Sequence, residues 1–140
     1  MNVSVFGLGY VGCVTGACLA KAGHRVIGVE LQPEKVAIIN GGAAPFVEPG
    51  LSDLIAEQVK AGRLRATGDA SEAIRESEIS LVCVGTPSLP TGQLDVAAIE
   101  NVCRQIGRAI GEQQAPHTVV IRSTVLPGTL ERFAALIAES

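Results

Sequence analysis

Three glycines, Gly7, Gly9 and Gly12, stand between two short apolar runs in the opening stretch VSVFGLGYVGCVTGACLAKAGHRVIGVE, and a carboxylate, Glu30, closes it. The spacing G-x-G-x-x-G carries chemistry only where it leaves a strand and opens a helix. In that setting the first glycine permits a tight turn, the second lets the backbone approach a pyrophosphate, and the third lets helix pack closely on strand. The free N–H groups and the positive dipole end of the helix then face the phosphates. Both conditions hold here: the apolar run Val3 to Phe6 comes before the glycines, and a helical pattern begins at about Val11. Gly16 and Ala20 continue the small face of Gly12 at four-residue spacing, and Gly23 ends the helix. Glu30 follows Gly12 by 18 residues, at the end of the next strand. A carboxylate there accepts from the ribose hydroxyls of an adenosine and repels a 2′-phosphate, so the stretch predicts a site for NAD in preference to NADP.

Other candidates are less constrained. Lys35, one turn into the following helix, has two readings, a cation reaching the ribose or phosphates and a solvated helix face. Ligands of open α/β sheets bind at the carboxyl ends of strands, which directs attention to VGTPS after the Ile79 strand and STVLPGT after the Thr118 strand. Thr86 and Thr124 offer hydroxyls in those loops, to a ligand or to ordinary turn and cap chemistry. Glu48, in FVEPGL, reads as part of a turn and is assigned no role. His24 and His117 each precede a strand, at the opposite edge of the sheet, and are not catalytic candidates. Cys13, Cys18, Cys83 and Cys103 lie inside apolar patterns without C-x-x-C spacing, which predicts reduced, small core residues and no metal site.

The elements that must position these residues alternate along the chain. Strands are predicted at Val3 to Phe6, Arg25 to Glu30, Leu64 to Thr67, Ile79 to Val84 and Thr118 to Arg122. Helices are predicted from about Val11, from Pro33, over Leu51 to Ala61 and Ser71 to Glu76, from Asp95 as cap to about Gly111, and from about Gly128 onward. Gly41 to Gly50 is an irregular, turn-rich connection. Strands joined by helical crossovers predict a parallel sheet with right-handed connections, a Rossmann-type doubly wound α/β fold in a single domain over residues 1–140.

Composition agrees. With 47% hydrophobic residues, 16 glycines and only Phe6, Tyr10, Phe46 and Phe133 as aromatics, the core must be built from Val, Ile, Leu and Ala, as buried parallel strands are. A net charge of -3 argues against nonspecific nucleic-acid binding. No apolar run reaches the length of a membrane span and the start of the chain lacks signal-peptide features, so a soluble, cytoplasmic protein is expected.

In order and spacing, FGLGYVG, VEPGL, VCVGTPS and RSTVLPGT resemble the UDP-glucose/GDP-mannose dehydrogenase family across essentially the whole chain. FGLGYVG and RSTVLPGT look most like its GDP-mannose 6-dehydrogenase branch, which serves alginate synthesis. The resemblance implies that the backbone at Tyr10 and Val11, together with Glu30, Lys35, Thr86 and Thr124, contacts NAD. At Glu30 the branch tends to carry the shorter Asp. It further implies a four-electron oxidation of a nucleotide sugar through a cysteine nucleophile with two NAD consumed, and a homo-oligomeric full-length enzyme. In the family the catalytic cysteine, the substrate domain and the C-terminal domain lie downstream of the matched segment. The chain itself is therefore expected to bind NAD without turning over. The alternatives are the same domain of a UDP-glucose 6-dehydrogenase, or a stand-alone NAD-binding regulatory module.

Overall fold

The computed structural model describes residues 1–113 and 116–140. Five strands form one sheet: β1 (Asn2–Phe6), β2 (Arg25–Val29), β3 (Leu64–Thr67), β4 (Ile79–Val82) and β5 (Thr118–Ile121). Among the described residues six helices flank it: α1 (Tyr10–Lys21), α2 (Pro33–Asn40), α3 (Leu51–Lys60), α4 (Ala70–Arg75), α5 (Ala97–Gln113) and α6 (Thr129–Glu139). The strand order is β3-β2-β1-β4-β5, every pair parallel. The doubly wound α/β architecture expected from the alternation is the one observed.

Period-two alternation on the central strand divides the core. Val3 and Val5 point into an apolar layer with Ala17, Ala20, Ile39 and Ile55, beneath α1, α2 and α3. Phe6 points the other way, into a layer with Val82, Ile99, Ile106 and Phe133, beneath α4, α5 and α6. The chain builds outward from β1 through β2 to β3, then returns past β1 to β4 and β5. Neighbouring connections therefore diverge at the carboxyl ends of β1 and β4, which opens a crevice there.

Boundaries shift by a residue or two from those expected. β4 ends at Val82 because its carbonyl is the last to take neighbouring amides in register, from Arg122 at 2.9 Å and Ser123 at 3.0 Å. Glu30 lies just past β2, although its N–H still donates to the Thr67 carbonyl. Gly111 lies within α5 instead of ending it. Asp95 does cap this helix, its Oδ1 accepting from the Ala97 N–H at 3.0 Å. The cysteine expectation needs correction. All four are free thiols, and Cys13 and Cys103 are buried, but Cys83 is only half-buried and Cys18 is exposed. On α1 the buried stripe runs through Gly12, Cys13, Gly16, Ala17 and Ala20, and residue 18 falls on the opposite side of the helical wheel.

Candidate functional site

The three glycines of the first turn serve three different geometries. Gly7 has φ +88°, and a Cβ there would come within 2.9 Å of Val84 Cγ1 and 3.0 Å of its Cα; its N–H donates to the Val29 carbonyl at 2.9 Å. Gly7 thus sits where the ends of β1, β2 and β4 converge. Gly12 is required by packing, because a Cβ on it would lie 1.9 Å from the Gly7 carbonyl oxygen. Gly9 differs from both. Its φ of -74° suits any residue, and apart from the adjoining backbone no described atom lies within 4 Å of its notional Cβ, so the fold itself makes no demand for glycine. As the N-cap residue of α1, it leaves open space beside the first-turn N–H groups, which have no intrahelical acceptor.

Leu8, between the first two glycines, is held from three sides. Its buried side chain occupies the space left by Gly28 on β2, where a Cβ would meet Leu8 Cδ1 at 2.6 Å. Its N–H donates to Glu30 Oε2 at 3.2 Å, and its carbonyl accepts from the Cys13 thiol at 3.2 Å. Burial pushes the Cys13 thiol up to about 11, against the opposing pull of Lys35, so at neutral pH it remains a proton donor.

Glu30 therefore belongs to the glycine loop as well as to the end of β2. Its second oxygen, Oε1, accepts from the Gln32 N–H at 3.1 Å, and Lys35 Nζ stands 4.0 Å from Oε2. The side chain is only 11% exposed. Each carboxylate oxygen has a second lone-pair direction for a further donor. Of the two readings of Lys35, the structure takes it out of the purely solvated class, since it pairs with Glu30 on the rim of the crevice.

The crevice is a cleft of about 380 Å³ lined from β1 by Phe6, Gly7 and Gly9, and from β2 by Val29, Glu30, Leu31 and Lys35. Cys83, Val84 and Gly85 line it beyond β4, and α5 forms the far wall. There Asn101 and Gln105, four residues apart, place two amide side chains on the cleft beside Ala98 and Val102. Sequence reasoning missed these two. The available signal was their position on the flank of the apolar stripe Ile99, Val102, Cys103 and Ile106 of a helix crossing the carboxyl edge of the sheet. Burial raises the Cys83 thiol above its ordinary value, with Arg122 opposing.

Gly7, Gly9, Glu30 and Lys35 are thus brought together, whereas Tyr10, Val11, Gly12, Thr86 and Thr124 are not among the residues lining the cleft. The side chains of Tyr10 and Val11 are exposed on the first turn of α1, so what they can offer the cleft is backbone N–H. The Tyr10 ring packs against Phe46 at a 35° tilt with centroids 5.5 Å apart, and Glu48 beside its hydroxyl raises the phenol above its ordinary value. Glu48, assigned no role from sequence, accordingly neighbours the turn. Thr86 is half-buried and Thr124 exposed, on loops that leave the adjacent strands β4 and β5. Ser123 Oγ ties these loops together by donating to the Val84 carbonyl at 2.6 Å. The N–H groups of a helix start, a position open to a close-approaching ligand and a nearly buried carboxylate at the next strand fit a dinucleotide.

The family model for the UDP-glucose/GDP-mannose dehydrogenase family, NAD binding domain, matches residues 1–140. The GDP-mannose 6-dehydrogenase of Azotobacter vinelandii is 51% identical over 139 residues, 99% of this chain and 32% of that protein. Among solved structures, a ternary complex of GDP-mannose dehydrogenase from Pseudomonas aeruginosa superposes with TM-score 0.97 at 50% identity, covering 99% of this chain and 32% of that one. A UDP-glucose dehydrogenase from Pyrobaculum islandicum gives TM-score 0.94 at 38% identity, covering 98% and 32%. The chain spans about a third of the length of these relatives.

Proposed function

The chain belongs to the UDP-glucose/GDP-mannose dehydrogenase family through its NAD-binding domain, and from that premise we propose how its residues hold NAD and what reaction the whole protein performs. The pyrophosphate lies against Gly9 and the N–H groups of Tyr10 and Val11. Glu30 accepts from the adenosine ribose hydroxyls, while Lys35 balances its charge and reaches toward the same sugar. Asn101 and Gln105, which line the same cleft, would hold the cofactor from α5, and Thr86 and Thr124 would contact it from the loops after β4 and β5. NAD, when bound, supplies the hydride acceptor. The observation that carries this assignment is the open position at Gly9, glycine where the fold asks for none, beside an acid held within reach of the same loop.

The reaction we assign to the whole protein is oxidation of a nucleotide sugar from C6 alcohol to carboxylate, in the cytoplasm, by a homo-oligomer. GDP-mannose is the favoured substrate, as in an alginate-forming pathway. In support, identities to the GDP-mannose 6-dehydrogenases are 51% for Azotobacter vinelandii and 48% for Pseudomonas syringae, against 37% for the UDP-glucose 6-dehydrogenase of Pseudomonas aeruginosa. The nucleophilic cysteine and the sugar pocket are assigned to sequence outside residues 1–140. The burial of Cys13 and Cys103 and the raised thiol of Cys83 support that division. Among the described residues no helix is long and apolar enough to cross a membrane.

Calorimetric titration tests the cofactor assignment. NAD should bind more tightly than NADP, and Glu30→Ala should weaken NAD by about 1–3 kcal/mol, the loss of hydrogen bonds to a charged acceptor. Glu30→Gln, which keeps an acceptor for Leu8 but loses the charge, should narrow the gap between the cofactors. Equal affinities in the unmodified chain would remove Glu30 from the site. Incubated with NAD and either GDP-mannose or UDP-glucose, the purified chain should form no NADH by absorbance. Turnover abolished by Cys83→Ala would place the thiol in this domain instead.

A further inference from the structure

On the edge of the sheet opposite the cofactor cleft, a second groove of about 340 Å³ is lined by Asn2, Arg25, Gly62, Arg63, Arg65 and Glu76. Its three arginines are treated differently by the fold. Arg65 is neutralised, its two Nη atoms meeting Glu72 Oε1 at 2.9 Å and Glu76 Oε2 at 3.0 Å. Arg25 and Arg63, one step before the Val26–Leu64 pair on adjoining strands, meet no carboxylate within ion-pair distance among the described residues. Like charges on neighbouring strands repel, and since Glu72 and Glu76 both engage Arg65, the cluster keeps a single net positive charge that falls on the Arg25–Arg63 pair.

Arg63 is also held in place. Its backbone N–H donates to the Gln58 carbonyl at 2.9 Å and its Nε to Gln58 Oε1 at 2.9 Å, and Gln58 is completely buried on α3. Fixing Nε leaves the two terminal nitrogens as a donor fork in the groove, with less rotamer freedom to lose on binding. Two guanidiniums, one of them pre-set, beside Asn2 make a receptor for an oxyanion, since such groups bind arginine by paired hydrogen bonds.

We propose that this groove binds a phosphoryl group, free or carried by a small molecule, at a site separate from the cofactor cleft. Arg25 and Arg63 are the ligands, and Gln58 positions Arg63. The assignment is independent of the cofactor reading, because no residue lining this groove lines the cleft.

The test is an amide chemical-shift titration of the chain with inorganic pyrophosphate, with inorganic phosphate as a second arm and NAD present at saturation to fill the cleft. Saturable shifts are expected at Arg25, Gly62 and Arg63. Saturation by phosphate as readily as by pyrophosphate identifies the free anion as sufficient, whereas a clear preference for pyrophosphate points to a carried diphosphate. Arg25→Gln should weaken binding on the order of tenfold, the loss of one charge-assisted contact, and leave NAD affinity unchanged. Arg63→Lys, which keeps the charge but not the fork held by Gln58, should weaken it by a smaller factor. Shifts confined to residues 7–12, no saturation at millimolar pyrophosphate, or unchanged affinity in Arg25→Gln would overturn the site. Because the shifts are read residue by residue, a chain that failed to bind NAD would still report on the groove.

Discussion

The two ends of the same sheet handle polar groups in opposite ways. At the amino-terminal half, Ser4 on β1 and Ser80 on β4 are completely buried and face each other in register, Oγ to Oγ at 2.7 Å. Ser77 Oγ donates to Ser4 Oγ at 3.0 Å or to the Ala73 carbonyl at 2.7 Å, and Ser80 Oγ meets His117 Nε2 at 2.8 Å. The three hydroxyls satisfy one another, and the chain ends at His117, whose Nδ1 is buried without a hydrogen-bond partner among the described residues. At the carboxyl end, by contrast, Glu30 and the first-turn N–H groups of α1 retain unused hydrogen-bonding capacity beside open space. Buried polar groups that consume one another hold a structure together, and those left with capacity at a cleft await a ligand.

The strongest test of this contrast lies within the glycine loop itself. Gly12→Ala should destabilise the fold by about 3 kcal/mol, since its Cβ must displace a backbone carbonyl, and a thermal melt should show the loss. Gly9→Val should keep stability within about 1 kcal/mol of the unmodified chain yet abolish NAD binding by calorimetry. If the two variants lost stability equally, Gly9 would be a packing residue and the carboxyl end would be no different in kind. Ser80→Ala should produce the reverse of the Gly9 result. Removing the middle of the hydroxyl chain leaves Ser4 and His117 short of a partner, a cost of about 1–3 kcal/mol in denaturant unfolding, with NAD affinity unchanged.

The smallest expected effect is on pH dependence. Burial lowers the His117 pKa below its ordinary 6.5, against a raising contribution from the Ser77 backbone. As pH falls the unfolded chain therefore takes up the proton first, so this contribution to stability is present above about 6.5 and lost as pH drops toward the folded value. His117→Gln should flatten the pH dependence of the melting temperature in that window. An unchanged profile would show that His117 is solvated and not the end of the buried chain.

How far these features could be read in advance depended on whether they were local. The turn at Gly7, the close packing at Gly12 and the carboxylate at Glu30 follow from residues adjacent in sequence to the elements they join, and the strand and helix alternation follows from apolar periodicity. Asn101 and Gln105 were not legible, because only the crossing of α5 over the carboxyl edge turns two ordinary helix amides toward the cleft. Ser4 and Ser80 were equally silent. A serine in an apolar strand acquires meaning only from the register that sets it against another, 76 residues away. The exposure of Cys18 went the same way, being decided by which arc of α1 the sheet covers.

The fit of Leu8 over Gly28 has a consequence for how a ligand arrives. A loop whose central side chain is socketed in the sheet, and whose amide and carbonyl are both engaged, takes its shape when the chain folds and not when a phosphate appears. Encounter then requires no ordering of the loop, and the entropy of association is spared that contribution. The same socket couples two distant positions: a larger residue at 28 is tolerable only with a smaller one at 8, so a loop loosened by Leu8→Ala is where a methyl at position 28 would restore rigidity.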